Sequence, residues 1–150
     1  MTVSGKKIEP RQLNDIEAEF INTDFKIKYN RNEINPIIIS RFTNPMGIPI
    51  ANPGEKINVG CILNPKLPSV SLRFAGEVEN MAFVFYDQGG FAYTTNLMIL
   101  KLDKEKIVYE CSYWIGGINQ IKTLDDLKAI FPIKSEKTAN VCGDSSSSVP

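Results

Sequence analysis

The chain of 150 residues contains no histidine. This absence removes the most common general base, the usual partner of a catalytic serine or cysteine, and the most common zinc ligand. The sequence also lacks the glycine-rich loops that hold phosphate groups, and it has no G-x-S-x-G pattern around a nucleophilic serine. We therefore expect a protein that is not an enzyme, with no cofactor and no metal site.

Cysteine is scarce, with only Cys61, Cys111 and Cys142, and no pair has C-x-x-C spacing. Such a count argues against a disulfide-rich scaffold and against a zinc site. One interpretation is two buried thiols and one thiol in a C-terminal tail. The alternative is a Cys61–Cys111 disulfide between strands, which would indicate an oxidising compartment.

Neither an excess of one charge nor a long apolar run occurs. Lys and Arg together number 17 and Asp and Glu together number 17, whereas nucleic-acid-binding proteins usually carry a basic excess. No apolar run approaches the roughly 18–20 residues of a membrane-spanning helix. The chain also shows no apolar segment typical of a signal peptide. We expect no nucleic-acid partner, no membrane span and by default a cytoplasmic protein, or a periplasmic or secreted one if a leader has been removed.

Apolar and polar residues alternate along most of the chain, between turn signals spaced every eight to twelve residues. This pattern predicts a mainly β protein with about seven short strands in an antiparallel β-sandwich or barrel-like sheet. The clearest hairpin turn is 87–90, and 75–76 and 103–106 are further turns. The predicted strands are 25–29, 34–42, 57–63, 70–74, 78–86, 91–102 and 107–115.

Helical spacing occurs near both ends of the sequence. It predicts a short N-terminal helix over about 10–19, with an extended segment as the alternative, and a C-terminal helix over 123–131 that begins at a threonine N-cap. We expect a flexible segment at 1–9, a single globular domain over 10–133 and a disordered serine-rich tail over 134–150.

Aromatic residues are concentrated on strands that the 87–90 hairpin brings together. Alternation places Tyr109 and Tyr113 on one face of a strand and Trp114 on the other. Their role is either cross-strand packing within the sheet or binding at an exposed face, since Tyr and Trp dominate binding hot spots. The residues concerned are Tyr86, Phe91, Tyr93, Tyr109, Tyr113 and Trp114.

The segment 43–56 is rich in proline and also carries Met46, Ile48 and Ile50. A loop stiffened by proline loses little conformational entropy on binding, and exposed apolar side chains usually indicate a partner. Alternatively, these side chains fold back and cover the open end of a sandwich.

Together these patterns favour a non-enzymatic protein-binding domain, such as a small inhibitor, a toxin-neutralising immunity protein or an adaptor. Another protein is the expected partner, and a homodimer through sheet edges is a further possibility. The expected contact residues are Met46, Ile48, Ile50, Tyr93 and Trp114.

Two other functions remain open from the sequence. A closed β-barrel would hold a small apolar ligand in a cavity lined by Phe83, Phe85, Tyr109 and Tyr113. A histidine-free hydrolase would need two carboxylates that converge in a pocket.

Overall fold

The computed structural model describes residues 14–60, 63–90, 92–115, 121–131 and 138–144. These residues form one antiparallel six-stranded sheet in which every strand lies beside its neighbour in sequence. The mainly β, antiparallel prediction is confirmed, but the sheet is neither closed into a barrel nor, among the described residues, paired with a second sheet. The strands are β1 (Lys26–Lys28), β2 (Val70–Glu77), β3 (Met81–Gln88), β4 (Thr94–Asp103), β5 (Lys106–Ile115) and β6 (Thr138–Gly143).

Three short helices accompany the sheet: α1 (Asp15–Asn22), α2 (Pro36–Arg41) and α3 (Leu124–Lys128). The helices predicted near both ends of the chain are confirmed. The first begins and ends later than predicted, and the second is shorter. Each starts with a capping box, in which the N-cap side chain and the third helical side chain bond to each other's backbone N–H. The part of the first prediction before residue 14 lies outside the described residues, as does the predicted flexible segment 1–9.

Both faces of the sheet are covered, which explains how a single sheet can form a buried core without a second sheet. On the first face α1, α3 and their flanking residues bury Phe83, Phe85 and Tyr113. Phe20 of α1 is fully buried there, with its ring 5.4 Å from that of Phe83, and such burial contributes roughly 1.5–3 kcal/mol. On the second face α2 and the following loop cover Val84, Leu100 and their neighbours.

The segment 34–42 was predicted as a strand, and this is wrong because it contains α2. Asn35 is the N-cap, its side chain accepting a hydrogen bond from the backbone N–H of Ile37, and Pro36 occupies the first helical position. Both residue types strongly favour a helix start. The helix buries Ile38 against the second face, so packing overrides the β preference of its isoleucines.

The predicted strand 57–63 and the predicted turn at 75–76 are also wrong. In the former, the described residues 57–60 and 63 make only an isolated bridge, between Val59 and Gly90. The latter lies within β2, where a Cβ on Gly76 would come within 2.6 Å of the Phe83 ring and 2.8 Å of the Phe25 Cβ. Glycine is needed at 76 for close aromatic packing.

Cys111 and Cys142 form a disulfide across directly paired positions of β5 and β6. Both sequence interpretations of the cysteines are therefore wrong, because Cys111 is neither a free thiol nor bonded to Cys61, which lies outside the described residues. The tail predicted to be disordered contains β6, held to the sheet by this bond; 134–137 and 145–150 lie outside the described residues. A strand of low periodicity gains its order from the cross-link and from pairing with β5.

Candidate functional site

A groove of about 640 Å³ opens on the first face of the sheet, beside the β3–β4 hairpin loop. We call it the Arg73 groove. Its lining comes from the end of β1, the loop 53–59, the first half of β2, the end of β3 and the segment before α3. The residues that define its chemistry are Tyr29, Ile57, Val59, Arg73, Asp87 and Tyr93.

Arg73 lines this groove and lies at a register shift in β2. Leu72 pairs with Tyr86 and Phe74 pairs with Phe85, which leaves Arg73 as an extra residue in the manner of a β-bulge. Bulges redirect side chains. The Arg73 side chain consequently reaches Asp87, on the same face as Phe74 and Phe85.

Asp87 is a buried carboxylate held by three side chains. Its two oxygens each lie 2.9 Å from the Nε of Arg73. Thr95 donates its hydroxyl to one oxygen at 2.8 Å, and Tyr93 donates its hydroxyl to the other at 2.9 Å. This full set of donors offsets the cost of burying the charge.

The guanidinium of Arg73 is fixed on two sides. Its Nε faces Asp87, and its Cζ lies 5.5 Å from the centre of the Phe85 ring, within cation–π range. Among the residues that the structure describes, its two terminal nitrogens have no hydrogen-bond partner. Arg73 therefore presents oriented donors to the groove.

Two tyrosines stand at the walls of the groove and remain largely open to solvent. Tyr29 is 59% exposed and Tyr93 is 58% exposed. Partial burial and then the hydrogen bond to Asp87 raise the pKa of Tyr93 above its ordinary value. The Tyr93 hydroxyl is protonated at neutral pH and acts as a hydrogen-bond donor, which does not suit a nucleophile.

The wall that carries Val59 is built on a buried asparagine. The Nδ2 of Asn58 donates to the carbonyls of Asn64 and Leu67 at 3.0 and 3.1 Å, and its Oδ1 accepts from the backbone N–H of Asn64 at 2.7 Å. The Asn58 carbonyl lies so close to Gly89 that a Cβ there would overlap it. This contact ties the wall to the β3–β4 hairpin loop.

The structure does not bring the five predicted contact residues together. Tyr93 lines the Arg73 groove. Ile48 lines a smaller hollow of about 360 Å³ with Tyr86 on the second face, and Trp114 is partly exposed on that same face. Met46, on the same turn as Ile48, is 70% exposed.

Ile50, which the sequence suggested as a contact residue, lies in the interior. This side chain is 1% exposed and belongs to the buried cluster under α2. The loop 43–56 thus combines both interpretations of the sequence, since Ile50 folds back onto the sheet while Met46 faces solvent.

Sequence reasoning missed Arg73, Asp87 and Tyr29 as site residues. In the sequence, Arg73 looks like an ordinary polar residue of an alternating strand. No local sequence pattern indicates a one-residue bulge. Asp87 was predicted to be a turn residue. A usable signal was the hairpin itself, because strands that flank a turn near 90 bring Asp87 opposite Thr95, as the register shows.

The closed barrel expected to hold an apolar ligand does not form among the described residues, whose sheet is open. Phe83, Phe85 and Tyr113 are fully buried in the core that α1 and α3 cover, so their side chains fill the space. Since the sheet is open, it encloses no interior.

Two carboxylates, Asp87 and Glu55, line the Arg73 groove, but each already faces an arginine. Glu55 accepts a hydrogen bond from the Nη1 of Arg31 at 2.9 Å. The backbone N–H of Asn52 and this arginine hold the pKa of Glu55 below its usual value. A general acid needs a raised pKa, so the lowered pKa of Glu55 does not suit it for that role.

No helix in the described ranges is long and apolar enough to cross a membrane. No protein-family model matches the chain, and no curated protein sequence or solved structure shows significant similarity to it.

Proposed function

We propose that this chain is a non-enzymatic protein-binding domain and that its partner docks on the Arg73 groove. The observation that carries the proposal is the composition of the groove, in which Tyr29, Tyr93 and Arg73 surround one concavity. Tyrosine and arginine are enriched among the residues that dominate binding energy, and such residues cluster in pockets.

Preorganisation supports the same proposal. Arg73 and Tyr93 are already held by Asp87, so ordering them on binding costs little side-chain entropy. The Val59 wall is likewise fixed through Asn58. A rigid surface of this kind suits an inhibitor, an immunity protein or an adaptor, each of which acts by contact alone.

The Cys111–Cys142 disulfide supports a periplasmic or secreted location over the cytoplasmic default, because disulfides persist in oxidising compartments. The composition of β6 supports self-association as an additional property. Its six residues include no charged side chain and no proline, the usual protections of a strand at the edge of a sheet. Sedimentation velocity over a range of concentrations tests this second point.

The docking proposal is tested by affinity capture from source-cell lysate with the full chain. The bait variants are the wild type, Tyr29→Ala/Tyr93→Ala and Trp114→Ala, the last being a matched aromatic truncation on the opposite face. After purification of the captured protein, we expect the groove variant to weaken its affinity at least about tenfold per hot-spot residue, and Trp114→Ala to leave it unchanged. Loss of binding in Trp114→Ala alone would move the interface to the second face and refute the proposal.

A further inference from the structure

We infer that the Arg73 groove recognises a side-chain carboxylate of the partner, carried next to an apolar side chain on the partner's surface. This inference rests on the proposed function and specifies the chemistry of the partner.

The first argument is the geometry of Arg73. Its Nε is occupied by Asp87, whereas its terminal nitrogens have no partner among the residues described by the structure. Those nitrogens form a planar fork whose spacing matches the two oxygens of a carboxylate. Asp87 also accepts from Tyr93 and Thr95, so the fork is held in place before a ligand arrives.

The second argument is charge complementarity. The groove also contains Lys122, whose Nζ forms no ion pair within 4.0 Å among the described residues, although its charge acts on the nearby Asp126. Both carboxylates of the lining are already engaged, Asp87 with Arg73 and Glu55 with Arg31. The charged groups of the lining that can still donate hydrogen bonds are therefore Arg73 and Lys122. A negatively charged group of the partner would accept these bonds.

The third argument is the surface beside these cations. The side chains of Tyr29, Val59 and Tyr93 are all more than half exposed around the groove, and Leu63 is also more than half exposed. Leu63 approaches Gly90, in the hairpin loop that borders the groove. The apolar area thus extends beyond the concavity, as a folded partner surface would require. An acidic residue beside an apolar residue on such a surface fits both features.

The test uses two probes, the acetylated and amidated tripeptides Phe-Glu-Phe and Phe-Gln-Phe, added to the full chain labelled with ¹⁵N. The two peptides differ only in the carboxylate. We expect Phe-Glu-Phe to shift the Arg73 Nε–H signal and the amide signals of Tyr29 and Tyr93, with a Kd in the range of about 1 mM. We expect Phe-Gln-Phe to bind at least about tenfold more weakly, the loss of one charge-assisted contact.

Variants separate recognition from folding. Arg73→Lys keeps a charge beside Asp87 but loses the fork, and Arg73→Gln/Asp87→Asn removes both charges together. In each we expect the preference for Phe-Glu-Phe to fall below about twofold, while Lys122→Gln reduces it partially. Trp114→Ala serves as the control and retains the full preference.

Equal binding of the two peptides, shifts that map to the Trp114 face, or no shift from Phe-Glu-Phe at about 10 mM would overturn the inference. None of these outcomes would refute the proposed function, which the capture experiment tests separately. If binding of a captured partner requires Tyr29 and Tyr93 but is unchanged in Arg73→Lys, the groove binds protein without recognising a carboxylate.

Discussion

The Nε of Arg73 lies 2.9 Å from each carboxylate oxygen of Asp87, although the two residues are not cross-strand partners in the sheet. β2 contains one residue more than β3 at this point, since Leu72 pairs with Tyr86 and Phe74 with Phe85. Because of this extra residue, Arg73 and Phe74 both lie on the first face, between Leu72 and Ala75 on the second face. The charged Arg73–Asp87 pair therefore lies on the same face as the buried aromatic residues Phe74 and Phe85.

Replacing Asp87 by Asn should destabilise the protein. The amide keeps the shape of the side chain but removes the charge that faces Arg73, and it cannot accept all the hydrogen bonds that the carboxylate accepts. We expect a loss of about 1–3 kcal/mol, below the figure for a fully buried pair because Arg73 is partly exposed to solvent. Urea unfolding at neutral pH measures the change.

Thr95→Val provides the graded comparison, since it removes one hydrogen bond to Asp87 and should cost about 1 kcal/mol. An Asp87→Asn protein as stable as the wild type would show that the network orients side chains without contributing to folding.

Gly89→Ala should move the β3–β4 hairpin loop away from the Val59 wall, which contacts this loop through Asn58. A Cβ at this position overlaps a backbone carbonyl, which cannot rotate away as a flexible side chain can. We expect a loss of about 1–3 kcal/mol, typical of overpacking, together with changes in the amide signals of the groove. Thermal unfolding and ¹H–¹⁵N spectra measure the two effects.

The matched control is Gly143→Ala in β6, where a Cβ would meet no atom within 4 Å and the backbone needs no positive φ. It should change stability by less than about 0.5 kcal/mol. Equal effects of the two substitutions would contradict the role assigned to the Gly89 contact.

The sequence predicted the strands that carry strong alternation, and the structure shows why these predictions succeeded. β3, β4 and β5 are long, and β3 is buried on both faces. In β5 Tyr113 is buried and Trp114 is exposed, so the two residues lie on opposite faces as the alternation predicts. The hairpin at 103–106 was predicted because charged turn residues separate two apolar runs, and Lys104 there adopts a positive φ.

The errors occurred where position in the fold overrides local preference. The isoleucines of α2 suit a strand, yet Asn35 and Pro36 begin a helix that the second face buries. Cys142 lies in a segment without periodicity, and its pairing with Cys111 depends on a strand order that local patterns do not contain. Of the five predicted contact residues, only Tyr93 lines the Arg73 groove. Arg73 and Asp87 were missed because nothing in their local sequence marks them as site residues.

Reduction of the Cys111–Cys142 disulfide should lower the free energy of unfolding by about 2–4 kcal/mol, because the bond closes a loop between positions separated by 31 residues. Urea unfolding with and without reductant measures this difference. Cys142→Ser should abolish the sensitivity to reductant, whereas Cys61→Ser should preserve it. Alkylation of the unreduced, unfolded chain should label Cys61 and spare the other two cysteines; labelling of all three would contradict the disulfide.

Tyr93 should titrate above the ordinary tyrosine pKa of about 10, because partial burial and the hydrogen bond to Asp87 favour the protonated phenol. A folded-state pKa raised above the unfolded value means that the stability contributed by this proton is fully present below about pH 10 and is lost as pH rises through the folded-state pKa. The ultraviolet difference spectrum between the wild type and Tyr93→Phe isolates this one phenol among the five tyrosines. In Asp87→Asn, where the neighbouring negative charge is absent, the pKa of Tyr93 should fall toward its ordinary value. A wild-type phenol that titrates at the ordinary value would show that the Tyr93–Asp87 hydrogen bond does not persist in solution, and the preorganisation of the Arg73 groove would then lose one of its two supports.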